Sequence, residues 1–161
     1  MAETEIRVDP FPDAASLDAL WKAAWGQPGP ADPAAILSRS LVHLGAYAEA
    51  ALVGYVNIAW DGGVHAFLLD PTVHPDHRRT GLGTLLVRRA AELAAERGAS
   101  WLHVDYEPHL AGFYRGCGFG PTEAGLMRLE RDPDWLPVDA GTRCLILDSS
   151  TTGTRDDPQD L

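Results

Sequence analysis

The stretch that decides the fold is Arg78-Arg79-Thr80-Gly81-Leu82-Gly83-Thr84, which lies between an apolar run and a long amphipathic segment. Two glycines one residue apart let the backbone turn sharply and approach a ligand closely. The first N–H groups of a helix have no partner within the helix and lie at the positive end of its dipole. A glycine-rich turn at a helix start is therefore suited to binding an anion such as a pyrophosphate.

The segments on either side of this turn predict a β-α-β unit. Residues 64–73 are apolar and predict an extended strand. Residues 81–97 repeat apolar side chains at helical spacing and predict the clearest helix of the chain. Residues 100–106 predict a second strand. Two strands joined through a helix in this way should be parallel neighbours with a right-handed connection.

The rest of the chain adds hairpin strands and short helices. Further strands are predicted over residues 5–9, 42–49, 51–60 and 123–130. Further helices are predicted over residues 13–25, with Asp13 as N-cap, and over residues 33–42 and 109–116. Hairpins combined with a crossover predict an α/β fold of the α+β type, with a central mixed sheet of about six or seven strands and helices on both faces.

Length and charge limit the domain count and the partners. A chain of 161 residues is expected to form one domain, over residues 1–147, and the polar residues 148–161 predict a flexible tail. The net charge of −10 argues against nucleic acid or an anionic membrane as the main partner. Residues 78–97 are an exception, because they hold five arginines and only two acidic residues. This cationic segment predicts a local anion site, and Arg88, Arg89 and Arg97 are expected only to solvate the helix.

Other sequence features exclude several classes of protein. Two cysteines cannot form a disulfide framework or a four-cysteine zinc site. His74 and His77 alone are too few for a metal site, and no metal is expected. No apolar run reaches the ~18 residues of a membrane span, and the acidic N-terminus lacks the features of a signal peptide, so a cytoplasmic location is expected. Trp21 and Trp25 lie four residues apart on one helix face and are expected in the core.

Two known phosphate-binding patterns do not match this segment. The dinucleotide fingerprint GxGxxG would need glycine at position 86, where the chain has Leu86. The P-loop pattern GxxxxGK[ST] needs a lysine, and the only lysine of the chain is Lys22. The remaining pattern is R-x-x-G-x-G, preceded by Val73-x-Pro75 at the end of a strand.

Two segments together resemble a known family. Residues 70–83 resemble the acyl-CoA motif of the GNAT superfamily of N-acetyltransferases. Downstream, Phe113-Tyr114-Arg115-Gly116-Cys117-Gly118-Phe119 is similar to the family's F/L-Y-x-x-x-G-F segment. The resemblance covers about residues 42–130 and implies the GNAT fold, with acetyl-CoA as cosubstrate. One departure is Glu107, which stands where many members carry an asparagine seven residues before the tyrosine.

The resemblance also implies roles for individual residues. Backbone groups around Val73 would pair with the pantetheine arm, a free N–H there would stabilise the oxyanion, and the backbone amides after Arg78 would hold the pyrophosphate. The implied cofactor-binding residues are Val73, Arg78, Arg79, Thr80, Gly81, Leu82, Gly83 and Thr84. Tyr114 would lie beside the thioester sulfur and act as general acid. The reaction would occur in a slot between residues 72–73 and 104–105, where the two parallel strands separate.

The general base and the acceptor are less well determined. Asp70, Asp105, Glu107 and His109 fall near the predicted slot; Glu107 is favoured, and a pathway without a dedicated base is equally open. The expected activity is acetyl transfer to a primary amine of a small molecule or peptide by direct attack in a ternary complex. The acidic surface suggests a cationic acceptor such as a polyamine, an amino sugar or an exposed lysine. The alternative is an acyl-CoA-binding sensor or partner module without turnover, and a homodimer is left open.

Overall fold

The computed structural model describes residues 4–126 and residue 129. The chain divides into two compact units, Met1–Ala124 and Gly125–Leu161, and all the described helices and strands belong to the first. They are β1 (Thr4–Val8), α1 (Ala14–Trp25), α2 (Pro33–Leu37), β2 (Ser40–Ala48), β3 (Ala51–Trp60), β4 (His65–Val73), α3 (Leu82–Glu96), β5 (Trp101–His103) and α4 (Ala111–Cys117). The prediction of a domain over residues 1–147 with a tail from residue 148 falls largely outside the described residues and stays a prediction.

The strands form one mixed sheet in the order β1-β2-β3-β4-β5. The first four pair antiparallel with their neighbours in sequence, and β5 pairs parallel to β4 through the α3 crossover. The predicted α/β mixed sheet is thus confirmed, although the described part of the chain has five strands instead of six or seven. The difference lies at residues 123–130, where residues 123–126 and 129 have no regular secondary structure and the other residues lie outside the described ranges.

Two elements are shorter than predicted. The second helix ends at Leu37 instead of residue 42, because the chain from Ser40 onward pairs with β3 as part of β2. The strand predicted over residues 100–106 is only Trp101–His103, and its pairing with β4 ends where His103 lies opposite Phe67. Further along β4, Pro71 has no N–H to donate to a neighbouring strand.

The helices begin and end as local chemistry dictates. The Asp13 carboxylate accepts a hydrogen bond of 2.7 Å from the backbone N–H of Ser16 and caps α1, as predicted. The α1 helix ends at Gly26, whose φ of 69° lies in the left-handed region that favours glycine. The carboxylate of Asp32 caps α2 in the same way, through the N–H of Ala35 at 3.0 Å.

Helices cover two faces of the sheet, so the core has two parts. The larger cluster packs α3 against the central strands and contains Val42, Leu44, Ala46, Val56, Ile58, Leu68, Leu86, Val87, Ala90 and Tyr114 among its buried members. The smaller cluster joins α1 and α2 to the opposite face through Leu17, Leu20, Leu37, Tyr47, Leu52 and Tyr55. Side chains of a strand alternate between faces, so β2 and β3 contribute to both clusters.

A polar network joins the segment after β1 to β2 and α3. Asp9 accepts from the backbone N–H of His43 at 3.0 Å and pairs with the guanidinium of Arg97 at 2.8 Å. The His43 ring is 1% exposed, and its Nε2 accepts the backbone N–H of Phe11 at 3.1 Å. Since Nε2 is the acceptor, the neutral ring carries its proton on Nδ1, which lies 3.4 Å from the Asp9 carboxylate.

Within the described ranges, no helix is both long enough and apolar enough to cross a membrane.

Candidate active site

The glycine turn joins the end of β4 to the start of α3. After Val73 the chain makes a 3-10 turn over Pro75–His77, and Thr80 Oγ1 donates to the carbonyl oxygen of His77 at 2.8 Å. Arg79 and Gly81 both have positive φ, at 61° and 88°. Alternation of left- and right-handed backbone conformations turns successive N–H groups toward one side and forms a concave anion site.

The helix that follows this turn has a free N-terminus. Gly81 is the N-cap of α3, and no side chain forms a capping hydrogen bond there. The first backbone bond of the helix runs from the N–H of Leu85 to the carbonyl oxygen of Gly81. The N–H groups before Leu85 therefore have no partner within the helix and lie at the positive end of the 15-residue helix α3. Residues 82–84 are thus available to bind an anion, as the sequence predicts.

A cavity of about 530 Å³ lies against this helix start. Most of the predicted cofactor-binding residues line it, together with residues of α1, β3 and α4. The lining consists of Ala24, Trp25, Tyr55, Pro71, Thr72, Val73, Arg78, Arg79, Gly81, Gly83, Thr84, Leu86, His109, Leu110, Phe113 and Tyr114. Leu82 is buried in the core beneath the turn, and Thr80 is exposed.

The parallel strands separate next to this cavity. β4 and β5 are in register only from His65 to Phe67, and β5 ends at His103. The carboxyl half of β4, which ends in Thr72 and Val73, pairs with β3 alone among the described strands. This arrangement agrees with the slot expected between residues 72–73 and 104–105.

Tyr114 lines the cavity from the opposite side. It lies on α4, is 3% exposed, and stacks on the ring of Tyr106 with centroids 4.6 Å apart. Burial raises the pKa of the Tyr114 phenol, and the nearby Cys117 and Tyr106 raise it further. The phenol therefore stays protonated at neutral pH and can donate a proton into the cavity.

Arg78 has a structural task in addition to lining the cavity. Its Nε donates to the carbonyl oxygen of Val73 and its Nη2 donates to the carbonyl oxygen of Ala24, both at 3.1 Å. The guanidinium thus ties the C-terminal end of α1 to the C-terminal end of β4. The sequence predicts Arg78 only as the first residue of the cofactor motif, and the contact with Ala24 spans 54 residues.

The other arginines of the cationic segment differ in role. The Arg88 Nη2 donates to the carbonyl oxygen of Gly116 at 2.7 Å. Arg89 pairs with Glu92 on the same helix, and Arg97 pairs with Asp9. Arg88 and Arg97 thus bind specific groups, so the expectation that they only solvate the helix is wrong for these two.

The α1 side of the cavity contains an aromatic side chain that the sequence places in the core. Trp21 does pack against the core, with its ring 5.4 Å from that of Tyr55. Trp25 instead is 56% exposed and lines the cavity, and its Nε1 donates to Thr72 Oγ1 at 3.3 Å. The core prediction is therefore wrong for Trp25. The sequence signal that could have indicated its exposure is the next residue, Gly26, at which α1 ends.

The candidate bases occupy different positions around the cavity. His109 lines it, whereas Asp105 and Glu107 are exposed and do not. Asp70 is likewise exposed and does not line the cavity, although desolvation of its carboxyl raises its pKa above the usual range for aspartate. The Asp70 charge in turn adds to the effect of burial in raising the pKa of Tyr55, a lining residue. Of the four candidates, His109 is thus the one that lines the cavity, Asp70 lies near a lining residue, and Glu107 stays a prediction.

Metal-binding side chains do not cluster at this site. In the part of the chain that the structure describes, no group of three or more histidine, cysteine, aspartate or glutamate side chains is placed to hold a metal ion. His74 Nδ1 accepts the backbone N–H of Asp76 at 3.3 Å, and its ring centroid lies 6.0 Å from that of His77.

Curated relatives match part of the chain. It is 38% identical to a mycothiol acetyltransferase of Mycolicibacterium vanbaalenii over 66 residues, which are 41% of this chain and 22% of that protein. It is 29% identical to the uncharacterized N-acetyltransferase ycf52 of Pyropia yezoensis over 72 residues, 45% of this chain and 41% of that protein. The matched part therefore spans less than half the length of these relatives.

Solved structures match most of the chain. A GNAT family acetyltransferase of Streptococcus pneumoniae superposes with a TM-score of 0.66 at 25% identity, over 81% of this chain and 100% of that one. The aminoglycoside N-acetyltransferase AAC(6')-Iy, solved in complex with CoA, has a TM-score of 0.65 at 20% identity, over 82% of this chain and 97% of that one, and this likeness shows the fold alone. The model of the acetyltransferase (GNAT) family matches residues 4–119. The chain therefore belongs to the GNAT acetyltransferase family.

Proposed function

We propose that this protein is an N-acetyltransferase that transfers the acetyl group of acetyl-CoA to a primary amine by direct attack in a ternary complex. The observation that carries the proposal is the cavity at α3. The uncapped helix N-terminus, the end of β4 and the buried Tyr114 phenol all line this one space. An anion site, a strand end and a proton donor are the parts that thioester aminolysis needs from a protein.

The residues at the cavity fit a pyrophosphate and an extended thioester arm. The N–H groups of residues 82–84 would bind the pyrophosphate without competition from a capping side chain. At Gly83, a Cβ would lie 3.5 Å from the Phe113 ring and 3.6 Å from Val73, so any longer side chain would project into the cavity. The bound acetyl-CoA would supply the activated acetyl thioester.

The chain's own residues would perform the remaining steps. A backbone N–H near Val73 would hold the carbonyl oxygen as negative charge develops on it. A base at the cavity would remove a proton from the acceptor ammonium, which restores the nucleophilic lone pair. The free amine would then bond to the acetyl carbon, and the Tyr114 hydroxyl would donate its proton to the sulfur as the carbon–sulfur bond breaks, because burial keeps the phenol protonated. The nitrogen would release its second proton to the Tyr114 phenolate, which restores the phenol. Alignment of the two substrates in one slot supplies a large share of the rate.

Two carboxylates can be compared as the base. Both are exposed and neither lines the cavity, but the raised pKa of Asp70 and the effect of its charge on the lining residue Tyr55 make it a better fit than Glu107, the residue favoured from the sequence. We expect Asp70→Asn to lower kcat by about 10²-fold, the low end for a positioned base, and Glu107→Gln to have little effect. A large loss of kcat in Glu107→Gln and none in Asp70→Asn would assign the base to Glu107. Unchanged kcat in both variants would favour His109 or water as the base.

The function itself is tested by a thiol-release assay with acetyl-CoA and a panel of primary amines. Amine-dependent release of CoA, with the acetyl amide detected by mass spectrometry, is the expected result. Acetyl-CoA binding without release for any amine would identify the alternative, an acyl-CoA sensor or partner module. Absence of acetyl-CoA binding in calorimetry would overturn the proposal.

A further inference from the structure

Several lining residues lie outside the segment expected to bind the cofactor, and one of them, Trp25, offers an aromatic surface whose only polar atom already forms a hydrogen bond. The Trp25 indole N–H donates to Thr72 Oγ1, and the Thr72 hydroxyl donates in turn to the carbonyl oxygen of Asp70 at 2.9 Å. An indole has no other hydrogen-bonding group. The exposed part of Trp25 is therefore carbon surface, held in one orientation where it lines the cavity.

The position of Trp25 is fixed from both sides. It is the last residue of α1, and the preceding carbonyl, that of Ala24, accepts a hydrogen bond from Arg78. Movement of the ring out of the cavity would therefore break its hydrogen bond to Thr72 on β4. An aromatic side chain held in this way offers a stacking surface at low entropic cost.

Within residues 4–126 and 129, the cavity lining outside the segment expected to bind the cofactor also contains no carboxylate. Tyr55, Pro71, His109 and Leu110 are among these lining residues. Among the described residues, the lining includes two arginines, Arg78 and Arg79, and no aspartate or glutamate. A ligand with several ammonium groups would meet guanidinium groups on these walls and find no carboxylate there to pair with.

We propose, on the basis of the acetyltransferase function above, that the acceptor is a primary amine with a single positive charge and an aromatic or otherwise apolar body. The apolar body stacks on Trp25, which makes Trp25 the residue that selects the acceptor. This changes the expectation drawn from overall charge, because the acidic residues that favour a polyamine or an amino sugar do not line the cavity in the described part of the chain.

The test compares four probes of different character: 2-phenylethylamine, spermidine, kanamycin and a lysine-containing peptide. Their affinities are measured by calorimetry on CoA-saturated protein, so that the ranking does not depend on turnover. We expect 2-phenylethylamine to bind at least ten-fold more tightly than the other three. A ranking led by spermidine, kanamycin or the peptide would overturn the proposal, whether or not any amine is acetylated.

Variants of one side chain then test the role of Trp25. Trp25→Ala should weaken 2-phenylethylamine binding and raise its KM by about ten-fold, with kcat and acetyl-CoA affinity little changed. Trp25→Phe should retain most of the affinity, because the stacking ring remains although the N–H is lost. Trp101→Ala is the matched control, since Trp101 is 64% exposed and does not line the cavity.

The outcomes separate the two proposals. Equal affinities of wild type and Trp25→Ala, with both proteins folded by circular dichroism, would remove Trp25 from acceptor recognition. Acetylation of kanamycin or spermidine in preference to 2-phenylethylamine would keep the acetyltransferase function and refute the acceptor class. If the wild type does not bind acetyl-CoA, the proposed function is refuted. Amine titrations on CoA-free protein would then still rank the four probes and so test the acceptor class separately.

Discussion

Mild acid should destabilise this protein, because His43 is held in its neutral form. The ring is buried, and its Nε2 accepts the N–H of Phe11, so a second proton would place a donor against a donor. Burial lowers the pKa of His43, and the effects of Asp9, which raises it, and Arg97, which lowers it, do not reverse the direction. Between this lowered pKa and the unfolded value of about 6.5, the unfolded chain binds more protons than the folded one.

The size of the effect follows from proton linkage. The contribution of His43 is present above pH ~6.5 and decreases by up to about 1.4 kcal/mol for each pH unit below it. If the folded ring remains neutral, the free energy of unfolding falls by about 1.3 kcal/mol between pH 7.0 and pH 5.5. For the unit Met1–Ala124, that change corresponds to a decrease of Tm by roughly 5 °C.

Urea unfolding at pH 7.0, 6.2 and 5.5 measures this loss, with His43→Gln as the test variant and the exposed His109→Gln as control. His43→Gln should be less stable at pH 7.0 but should lose less stability on acidification, whereas His109→Gln should follow the wild type. The raised pKa of Asp70 has the opposite effect, because it makes the folded state gain stability as the pH falls. This contribution is the same in the wild type and in both variants, so it does not affect the comparison. An identical pH slope in wild type and His43→Gln would refute the reasoning.

Three further predictions concern the cavity and the chain end. Tyr114→Phe should lower kcat by about 10²-fold, because the proton donor is lost. Its acetyl-CoA affinity, measured by calorimetry, should stay within a few-fold of the wild type, and a parallel loss of this affinity would show that the hydroxyl has a structural role. Gly83→Glu should abolish acetyl-CoA binding. Gly83→Ala should retain it, because its Cβ would lie at ordinary contact distances of 3.5 and 3.6 Å. Gly116→Glu is the control for the added charge, because nothing lies within 4 Å of a Cβ at that position. Equal acetyl-CoA affinities in the Gly83→Glu and Gly116→Glu variants would contradict this location of the anion. Deletion of residues 148–161 should leave Tm and turnover unchanged, since the segment is polar, and a loss of several degrees would show that it docks on the protein.

The elements governed by local chemistry could be predicted from the sequence. The helix α1 begins where the carboxylate of Asp13 can cap it, and α3 begins directly after Gly81, as predicted. The glycine turn before α3, which is proposed to bind an anion, is also local, since glycine spacing and the helix dipole act within a few residues. These features need no partner from elsewhere in the chain, so periodicity and residue type are enough to identify them.

Features that depend on distant partners could not be predicted. The length of β5 depends on how far β4 stays within hydrogen-bonding distance, and the pairing ends at His103. The exposure of Trp25 depends on where the cavity lies, because helical spacing alone puts Trp21 and Trp25 on one face. Likewise, the position of Glu107 outside the cavity lining depends on the turn before α4, whose course the motif spacing does not determine.

The contact between Arg78 and Ala24 has a consequence for how this architecture could be altered. The acceptor of that hydrogen bond is a backbone carbonyl, so its geometry depends on where α1 ends and not on which side chain residue 24 carries. The helix α1, which is proposed to contact the acceptor, could therefore be exchanged for one of different sequence while its hydrogen bond to Arg78 is preserved. Laboratory retargeting of the enzyme should keep Arg78 and the length of α1 constant and randomise the exposed positions near the end of the helix.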